Sequence, residues 1–229
     1  MSDQSFWYLE NIDVTGIFCP QKLGNATDQH VHKSFKKGDY IYLQEDHSDR
    51  LFFLMDGRVK IGHFSEGGKE ITKAILTKGE VFGELSLIGE NKRRDFALAM
   101  EDTTVCALTV DEMRNMMREH NGLNLFLMKI MGSRVLEMEQ RLESLVFKDS
   151  RTRIIEFLAN LADKRGQRVG YEMVVRKFMT HQEIANLTAT SRQTVTTVLN
   201  EMRNKDILIF DRRRLLIRDM GKLREQARI

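Results

Sequence analysis

The stretch "THQEIANLTATSRQTVTTVLNEMRNKDIL", residues 180–208, predicts two short helices joined by a tight turn. Thr180 and Glu183 have the spacing of a capping box, in which the hydroxyl binds the N3 amide and the carboxylate binds the amide of the cap, so a helix is expected from His181. Ser191, after the break at "TAT", is a favourable N-cap for a second helix. The buried side of that helix is predicted by apolar residues at i, i+3, i+4 and i+7, which are Val195, Val198, Leu199 and Met202.

The second helix must therefore turn other side chains to the solvent in its first two turns. This outward set is Arg192, Gln193, Thr196 and Thr197. Arg can bind guanine with two hydrogen bonds, Gln can do the same with adenine, and Thr offers a hydroxyl and a methyl group to thymine. A helix that presents such residues after a short helix and a turn is typical of helix-turn-helix proteins, which insert it into the DNA major groove. An ordinary helical pair with a solvated polar face is the alternative.

Positive charge is concentrated in the same part of the chain. Residues 149–229 contain 17 Lys and Arg against 10 Asp and Glu, whereas residues 1–148 contain 19 against 23. The stretch "DILIFDRRRLLIRD" reads as a hairpin, and its tip carries arginines suited to DNA phosphates, namely Arg212, Arg213 and Arg214. We therefore expect a polyanion partner for the C-terminal part and a separate task for the N-terminal part.

The chain from about residue 30 to residue 110 is predicted to be rich in β-strands. Its apolar segments are short, often alternate in polarity and are separated by Gly or Asp. The segment "MDGRVKI" predicts a hairpin, because Asp-Gly readily supplies the positive φ angles of a tight turn between two strands. The segment "FSEGGKEI" predicts a second hairpin.

After Asp111 the apolar period changes to about three and a half residues, which predicts a helix with a narrow apolar seam. The seam residues are Met128, Met131, Val135, Met138, Leu142 and Leu145. A parallel dimer is favoured, because Arg134 would then face Glu139 of a second copy and the helix runs directly into the basic part. Packing of this helix against its own domain is the alternative.

Several classes of protein are disfavoured by composition. No apolar run reaches the roughly 18 residues of a membrane span, and the acidic start "MSDQSFWYLENID" does not resemble a signal peptide, so we expect a cytoplasmic protein without a membrane partner. Cys19 and Cys106 are too few for a cysteine-ligated metal cluster and are interpreted as core thiols, with redox sensing through Cys19 as the alternative.

A metal-dependent enzyme of the cupin type is the rival from another class. Gly24, His30 and His32 have the spacing that opens a cupin metal motif. The expected carboxylate position holds Lys36 or Lys37, and the single proline of the chain cannot supply the usual second motif. A metal site normally needs three or four ligands, so we predict no metal. Because no Ser-His-Asp, Cys-His, paired-carboxylate or phosphate-loop motif stands above chance, we also predict no catalytic residue and no enzymatic activity.

In this order, the β-rich part, long helix and "SRQTVTTVL" segment resemble the Crp/Fnr superfamily of bacterial transcription regulators over nearly the full length. The resemblance implies an α+β fold with three parts: an effector-binding, cyclic-nucleotide-binding-like β-roll (a double-stranded jelly roll) over residues 1–118, a dimerisation helix over 119–147 and a winged helix-turn-helix over 148–229. It also implies a homodimer on near-palindromic double-stranded DNA, with RNA polymerase as a partner. His30 and His32 resemble a polymerase-contacting patch, for which an exposed strand edge without function is the alternative.

The resemblance also implies roles for single residues in the helix-turn-helix. Arg192 would be the main guanine-reading residue and Gln193 its neighbour. Four residues would contact phosphates, namely Thr180, Gln182, Ser191 and Thr194. The chain departs from the family where Gln193 replaces the common Glu, where Thr197 replaces a second base-reading Arg of cyclic-AMP receptor proteins, and where Ala189 replaces the turn Gly. The operator of those proteins is therefore not assumed.

The segment "FGELSLIGENKRRDFAL", residues 82–98, resembles the phosphate-binding cassette of the same family. The expected effector pocket consists of Glu84, Leu85, Arg94, Asp95, Met138 and Glu139. In it Glu84 would accept from a ribose hydroxyl and Arg94 would pair with a cyclic phosphate. Asp95 stands where Ser is expected, and a carboxylate there repels a phosphate by about 1 kcal/mol or more. Met138 and Glu139 replace the Thr-Ser pair that receives adenine, so we expect an effector other than cyclic AMP or activity without one, with a cyclic-AMP-dependent regulator as the alternative.

Overall fold

The computed structural model describes residues 31–68, 70–211 and 214–227, and the chain divides into two compact units between Ile130 and Met131. The first unit contains strands β1 Val31–Phe35, β2 Tyr40–Tyr42, β3 Arg50–Asp56, β4 Arg58–Phe64, β5 Glu70–Thr77, β6 Val81–Phe82, β7 Phe96–Ala99 and β8 Thr103–Thr109, with a 3-10 helix at Glu84–Ile88. Helix α1 is Val110–Glu119 and the long helix α2 is Asn121–Phe147. The α+β class expected from the sequence is confirmed.

The strands of the first unit form two antiparallel sheets. One sheet has the order β1-β8-β3-β6 and the other the order β2-β7-β4-β5. Strand β3 is apolar on both faces, because it lies between two clusters of buried side chains. Phe52 and Leu54 belong to the cluster shared by both sheets, whereas Leu51 and Phe53 belong to a second cluster that includes Met113 of α1.

The hairpin predicted at "MDGRVKI" is wrong. Strand β3 pairs with β6 and β8, whereas β4 pairs with β5 and β7, so the turn at Gly57 carries the chain from one sheet to the other. The turn still requires glycine, since Gly57 has φ 92° and a Cβ there would lie 2.7 Å from the Asp102 carbonyl oxygen. Asp-Gly specifies a turn but does not specify which strand the next segment pairs with. The hairpin predicted at "FSEGGKEI" is confirmed by the pairing of β4 with β5.

The apolar seam of α2 is largely exposed within one chain. Met138 is 69% exposed and Leu142 is 64% exposed, and Met128, Val135 and Leu145 are also exposed. Met131 is half-buried. The choice between a parallel dimer and packing within the chain stays a prediction. The start of the helix differs, because Leu123 and Leu127 are buried in the second cluster of the first unit.

The second unit continues with helices α3 Ser150–Arg165, α4 His181–Leu187, α5 Arg192–Asn204 and α6 Met220–Glu225. Its strands are β9 Gln167–Val169, β10 Glu172–Arg176, β11 Leu208–Phe210 and β12 Arg214–Ile217, in one sheet of order β11-β12-β10-β9. The hairpin predicted at residues 206–219 is confirmed as β11 and β12. Strand β9 and helix α6 were not predicted from the sequence, because each is too short to show a period.

An ion-pair network ties three helices of the second unit together. Arg151, near the start of α3, binds Glu201 of α5 with nitrogen–oxygen distances of 3.2 and 2.9 Å. The same guanidinium donates to the Gln226 carbonyl oxygen at 2.7 Å. These bonds hold the pKa of Glu201 at about 2, with the Arg151 side chain as the largest cause. The network therefore fixes the C-terminal half of α5 against α3.

Candidate nucleic-acid interface

The two helices predicted from residues 180–208 form with both predicted caps. The Thr180 hydroxyl accepts from the Glu183 amide at 3.2 Å, and the Glu183 carboxylate accepts from the Thr180 amide at 2.7 Å. Ser191 Oγ accepts from the Thr194 amide at 3.0 Å. The predicted apolar stripe of α5 is buried at every position, that is Val195, Val198, Leu199 and Met202. One side of α5 is therefore fixed in the core of the unit.

The opposite side of α5 presents the predicted base-reading residues. Arg192, Gln193 and Thr197 are exposed, as the stripe required. Within the described part of the chain, no carboxylate lies within ion-pair distance of Arg192. Its guanidinium is thus available to an external acceptor. This surface combines one cation, one amide and hydroxyl groups on the first two turns of a helix.

Thr196 departs from the prediction because it is half-buried and already bonded within the protein. Its hydroxyl donates to the Arg192 carbonyl oxygen at 2.9 Å and lies 2.8 Å from Nδ1 of His181. Since the single hydroxyl proton goes to the carbonyl, Nδ1 must carry a hydrogen and donate to Thr196. Burial lowers the pKa of His181 below its usual value, and the Arg192 cation lowers it further. Thr196 is left with its methyl group and one lone pair for contacts outside the protein.

The turn between α4 and α5 accommodates alanine in a left-handed backbone conformation. Ala189 has φ 50°, a region that favours glycine because a Cβ is crowded there. The preceding Thr188 is buried, and its hydroxyl donates to the Ile184 carbonyl oxygen at 2.8 Å. The Thr190 amide donates to the Ala185 carbonyl oxygen at 2.9 Å. These bonds hold the turn in the strained conformation that the sequence required of a non-glycine residue.

The predicted phosphate-contacting residues lie at the N-terminal ends of α4 and α5 and on the β-hairpin. Thr180, Gln182 and Ser191 are exposed, whereas Thr194 is half-buried and its hydroxyl lies 2.8 Å from that of Ser191. Arg214 is exposed and pairs with Asp211 at 3.1 Å. Arg212 and Arg213 lie outside the described residues. The first amide groups of a helix have no partner within that helix, and helix N-terminal ends favour phosphate.

The buried arginine of the β-roll is Arg93, not Arg94, which the sequence suggested as the phosphate-binding residue. Arg93 is only 5% exposed. Its Nη1 and Nη2 atoms donate to the carbonyl oxygens of Gly83 at 3.1 Å and Arg50 at 2.5 Å, and its guanidinium carbon lies 4.4 Å from the centre of the Tyr42 ring. Arg94 is exposed. Sequence reasoning missed Arg93, because "RR" offers two candidates one residue apart and only the fold determines which one points inward.

Arg94 instead lines an open pocket of about 340 Å³ whose other lining residues are Gln44, Glu45, His63 and Lys73. Its guanidinium pairs with Glu90 at 2.5 Å. The neighbouring Asp95 accepts from the Tyr42 hydroxyl at 3.3 Å and pairs with Lys73 at 3.5 Å. Burial, and next the Asp95 charge, raise the pKa of Tyr42 well above its usual value. The arginine proposed for a ligand phosphate is therefore already paired with a carboxylate.

The other residues of the expected effector pocket are placed as follows. Glu84 and Leu85 are half-buried in the 3-10 helix of the first unit, and Met138 and Glu139 are exposed on α2. Cys106 is buried, in agreement with a core thiol. Cys19, Gly24 and His30 lie outside the described residues. In residues 31–68, 70–211 and 214–227, no three His, Cys, Asp or Glu side chains are grouped as metal ligands, and no helix there is long and apolar enough to cross a membrane.

The fold and site together define a DNA-binding regulator with an attached ligand-binding-type domain. Residues 32–120 match the family model described as the cyclic nucleotide-binding domain, and residues 152–226 match the Crp-like helix-turn-helix domain. Among curated proteins, the chain is 29% identical to the cyclic AMP receptor protein of Thermus thermophilus over 91% of this chain and 93% of that one. It is 27% identical to the global nitrogen regulator of Synechocystis sp. over 90% and 92% of the two chains.

Solved structures share the fold. A CooA variant from Carboxydothermus hydrogenoformans superposes with a TM-score of 0.75 at 29% identity, covering 87% of this chain and 88% of that one. FixK2 from Bradyrhizobium japonicum shares the fold, with a TM-score of 0.74 at 20% identity and coverage of 86% and 96%. The chain belongs to the Crp/Fnr family of transcription regulators, as the sequence resemblance indicated.

Proposed function

We propose that the protein is a homodimeric regulator that binds a specific, near-palindromic site on double-stranded DNA. The observation that carries this proposal is the exposure of Arg192, Gln193 and Thr197 on a helix whose opposite side is buried. The recognition helix, residues 191–204, enters the major groove with these side chains toward the base edges. Each bidentate contact contributes roughly 1 to 3 kcal/mol of discrimination between bases.

The positions of the side chains assign base contacts and phosphate contacts to different residues. Base reading is assigned to Arg192, Gln193, Thr196 and Thr197, with Thr196 restricted to its methyl group and remaining lone pair. Phosphate contacts are assigned to Thr180, Gln182, Ser191, Thr194, Arg212, Arg213 and Arg214. Phosphate contacts supply affinity and orientation, whereas base contacts supply sequence preference. The excess of basic residues in residues 149–229 supports this assignment.

Dimerisation through α2 supplies the second recognition helix. An exposed apolar seam of three heptads is stabilised when a second copy covers it. Two helices related by a twofold axis can enter successive major grooves about 34 Å apart, which gives half-sites about one turn apart. The proposed DNA target implies that the protein acts in the cytoplasm, with RNA polymerase as a further partner and without enzymatic activity of its own.

DNA binding is proposed to be controlled by a small molecule other than cyclic AMP. Alternatively, the dimer is active without any effector. Relatives of similar identity carry names that refer to cyclic AMP in one case and to nitrogen in another, so the family alone does not assign an effector. Arg94 is paired with Glu90, and Asp95 adds a second carboxylate beside the pocket. A phosphate would have to displace one carboxylate and tolerate the other, which disfavours a cyclic nucleotide.

The central experiment selects bound DNA from a random pool, with and without small-molecule extract, and then measures affinity for the selected site and for random DNA. Arg192→Ala should weaken specific binding by roughly 1 to 3 kcal/mol and relax the preference at one base pair. Arg214→Ala is the control, because loss of a phosphate contact weakens all sequences alike and lowers the salt slope. Equal losses on specific and random DNA for Arg192→Ala would contradict its assignment.

Cyclic AMP is tested separately by titration while the affinity for the selected DNA is followed. We expect little response, because the residues around Arg94 present carboxylates where a phosphate would bind. Strong activation by cyclic AMP would overturn the interpretation of Asp95, Met138 and Glu139 without affecting the DNA assignment. Asp95→Ser is an informative companion variant, since it removes the neighbouring carboxylate and keeps a hydrogen-bonding group.

A further inference from the structure

Arg153, in the first turn of α3, donates hydrogen bonds to carbonyl groups in two separate connections of the second unit. Its Nε donates to the Thr188 oxygen at 3.0 Å and its Nη2 donates to the Ala189 oxygen at 3.1 Å. Its Nη1 donates to the Lys148 oxygen at 2.8 Å. Thr188 and Ala189 form the turn between α4 and α5, whereas Lys148 directly follows the last residue of α2. One side chain thus links the end of the long helix to the helix-turn-helix.

The chemistry of both connections suits a guanidinium. The C-terminal end of a helix carries partial negative charge, and the carbonyl groups of Lys148 and Thr188 lie directly after the ends of α2 and α4. Arginine offers several donors in a rigid planar fork, whereas lysine offers one compact cation. Arg153 Nη2 also lies 3.5 Å from Ser150 Oγ. The Arg153 charge contributes to the lowered pKa of Asp149, after the larger effect of the Thr152 hydrogen bonds. Three of the four hydrogen bonds of Arg153 therefore go to main-chain carbonyl groups that follow α2 and α4.

The turn held by Arg153 determines where the recognition helix begins. Ala189 precedes the cap residue Ser191 by two positions, and its φ of 50° is a conformation that alanine rarely adopts. A turn in a strained conformation changes when the contacts that hold it are lost. Displacement of Ser191 would shift Arg192 and Gln193, which lie in the first turn after the cap. Base-edge contacts need accurate placement, whereas phosphate contacts tolerate displacement more readily.

We propose that Arg153 is a positioning residue that fixes the start of the recognition helix relative to the C-terminal end of the long helix. A change of backbone direction at Lys148 then reaches the DNA-reading side chains through Arg153 and the turn at Ala189. This inference rests on the proposed DNA-reading role of α5. It assigns to Arg153 an effect on DNA specificity without any contact with DNA.

The test measures affinity for the selected site and for random DNA with the full-length Arg153→Met variant. We expect specific affinity to fall by about tenfold, with random-DNA affinity within about twofold of the parent. The slope of affinity against salt should not change, because Arg153 neutralises no phosphate. A lower slope, or equal losses on both DNAs, would overturn the proposal. Arg153→Lys should lose specificity to a similar degree, since lysine keeps the charge but lacks the planar set of donors. If Arg153→Met fails to fold, Arg153→Lys is used for the test in its place.

Arg224→Met is the matched control in the same unit. Arg224, in α6, donates to the Asp163 carboxylate of α3 at 2.8 and 2.7 Å, and its ion pair involves neither the recognition helix nor the turn. Its loss should lower the unfolding temperature while the ratio of specific to random affinity stays within about twofold of the parent. An equal loss of specificity in Arg224→Met and Arg153→Met would show a general loosening of the domain and would overturn the proposal.

The link to the long helix is tested by a double-mutant cycle with Lys148→Gly, which loosens the backbone at that joint. Lys148→Gly alone should reduce specific affinity by about threefold, yet add little to Arg153→Met, since the connection is then already broken. Additive losses would overturn the proposed link. Arg192→Ala in the same assay distinguishes failure of the proposed function from failure of this inference. If Arg192→Ala leaves DNA specificity unchanged, the proposed function is wrong. If Arg192→Ala lowers specificity but Arg153→Met and Arg153→Lys do not, only the positioning role of Arg153 is wrong.

Discussion

Val135→Glu should separate the proposed dimer, because Val135 lies in the middle of the exposed seam of α2. The seam residues are about half to two thirds exposed in one chain, for example Val135 at 54% and Leu142 at 64%. Full burial of an aliphatic side chain contributes about 1.5 to 3 kcal/mol, so a partner covering the exposed part contributes about 1 to 2 kcal/mol per side chain. Twofold symmetry doubles every contribution.

The glutamate adds a second cost to this loss. In the dimer it appears twice, and each carboxylate is removed from water without an opposite charge, which costs several kcal/mol. With the lost apolar contacts of both valines, the total is at least about 5 kcal/mol, which corresponds to a dissociation constant raised by more than about 1,000-fold. Analytical ultracentrifugation over a range of protein concentrations measures this change directly.

Two controls separate the seam from the rest of the helix. Val135→Leu keeps an apolar side chain at the same position and should leave the dimer intact. Gln140→Glu adds a negative charge to the same helix at an exposed position outside the seam and should have little effect. An unchanged dimer mass for Val135→Glu at all concentrations would refute the reasoning. Loss of specific DNA affinity should accompany dissociation, because each half-site would then be bound separately.

Three further predictions concern the stability of the two units and are measured by urea unfolding. Ala189→Gly should raise the free energy of unfolding by about 0.5 to 1 kcal/mol, because glycine relieves the left-handed strain and part of that gain is lost to the greater freedom of the unfolded chain. Glu201→Gln should lower it by about 1 kcal/mol at about pH 7, after allowance for solvent screening. Because the pKa of Glu201 is depressed to about 2 from an ordinary value of 4.5, that difference should be complete above pH 4.5 and shrink as the pH falls toward 2; a constant difference would contradict the ion-pair explanation. Gly62→Ala should destabilise the β-roll by about 1 to 3 kcal/mol, since its Cβ would strike the Phe96 ring and lie 2.8 Å from the Ile71 carbonyl oxygen; unchanged stability would show that strand β4 can shift.

The helix-turn-helix was predictable because its signals are local. Capping residues act on amides three positions away, and the stripe from Val195 to Met202 repeats within two turns. Thr196 was the exception, since its half-buried position depends on His181, fifteen residues earlier in the chain. The exposed positions of Arg192, Gln193 and Thr197 followed from the stripe alone.

The β-roll was predictable only in outline. Short alternating segments indicated strands, yet the separation of β3 and β4 into different sheets reversed the expectation from Asp56–Gly57. The inward position of Arg93 and the outward position of Arg94 likewise depend on how the segment before β7 crosses the roll. Strand β9 and helix α6 were missed because three and six residues give too little periodicity to recognise.

The sequence by itself determined the order of the parts, the caps and buried stripe of the recognition helix, and the apolar seam of the long helix. These features depend on side chains within about one to two helical turns of one another. The tertiary structure alone decided which arginine enters the β-roll, which strands pair, and that Arg153 joins Lys148 to the turn at Ala189. Those outcomes depend on residues far apart in the chain, whose approach is set by packing of the whole unit and leaves no periodic trace in the sequence.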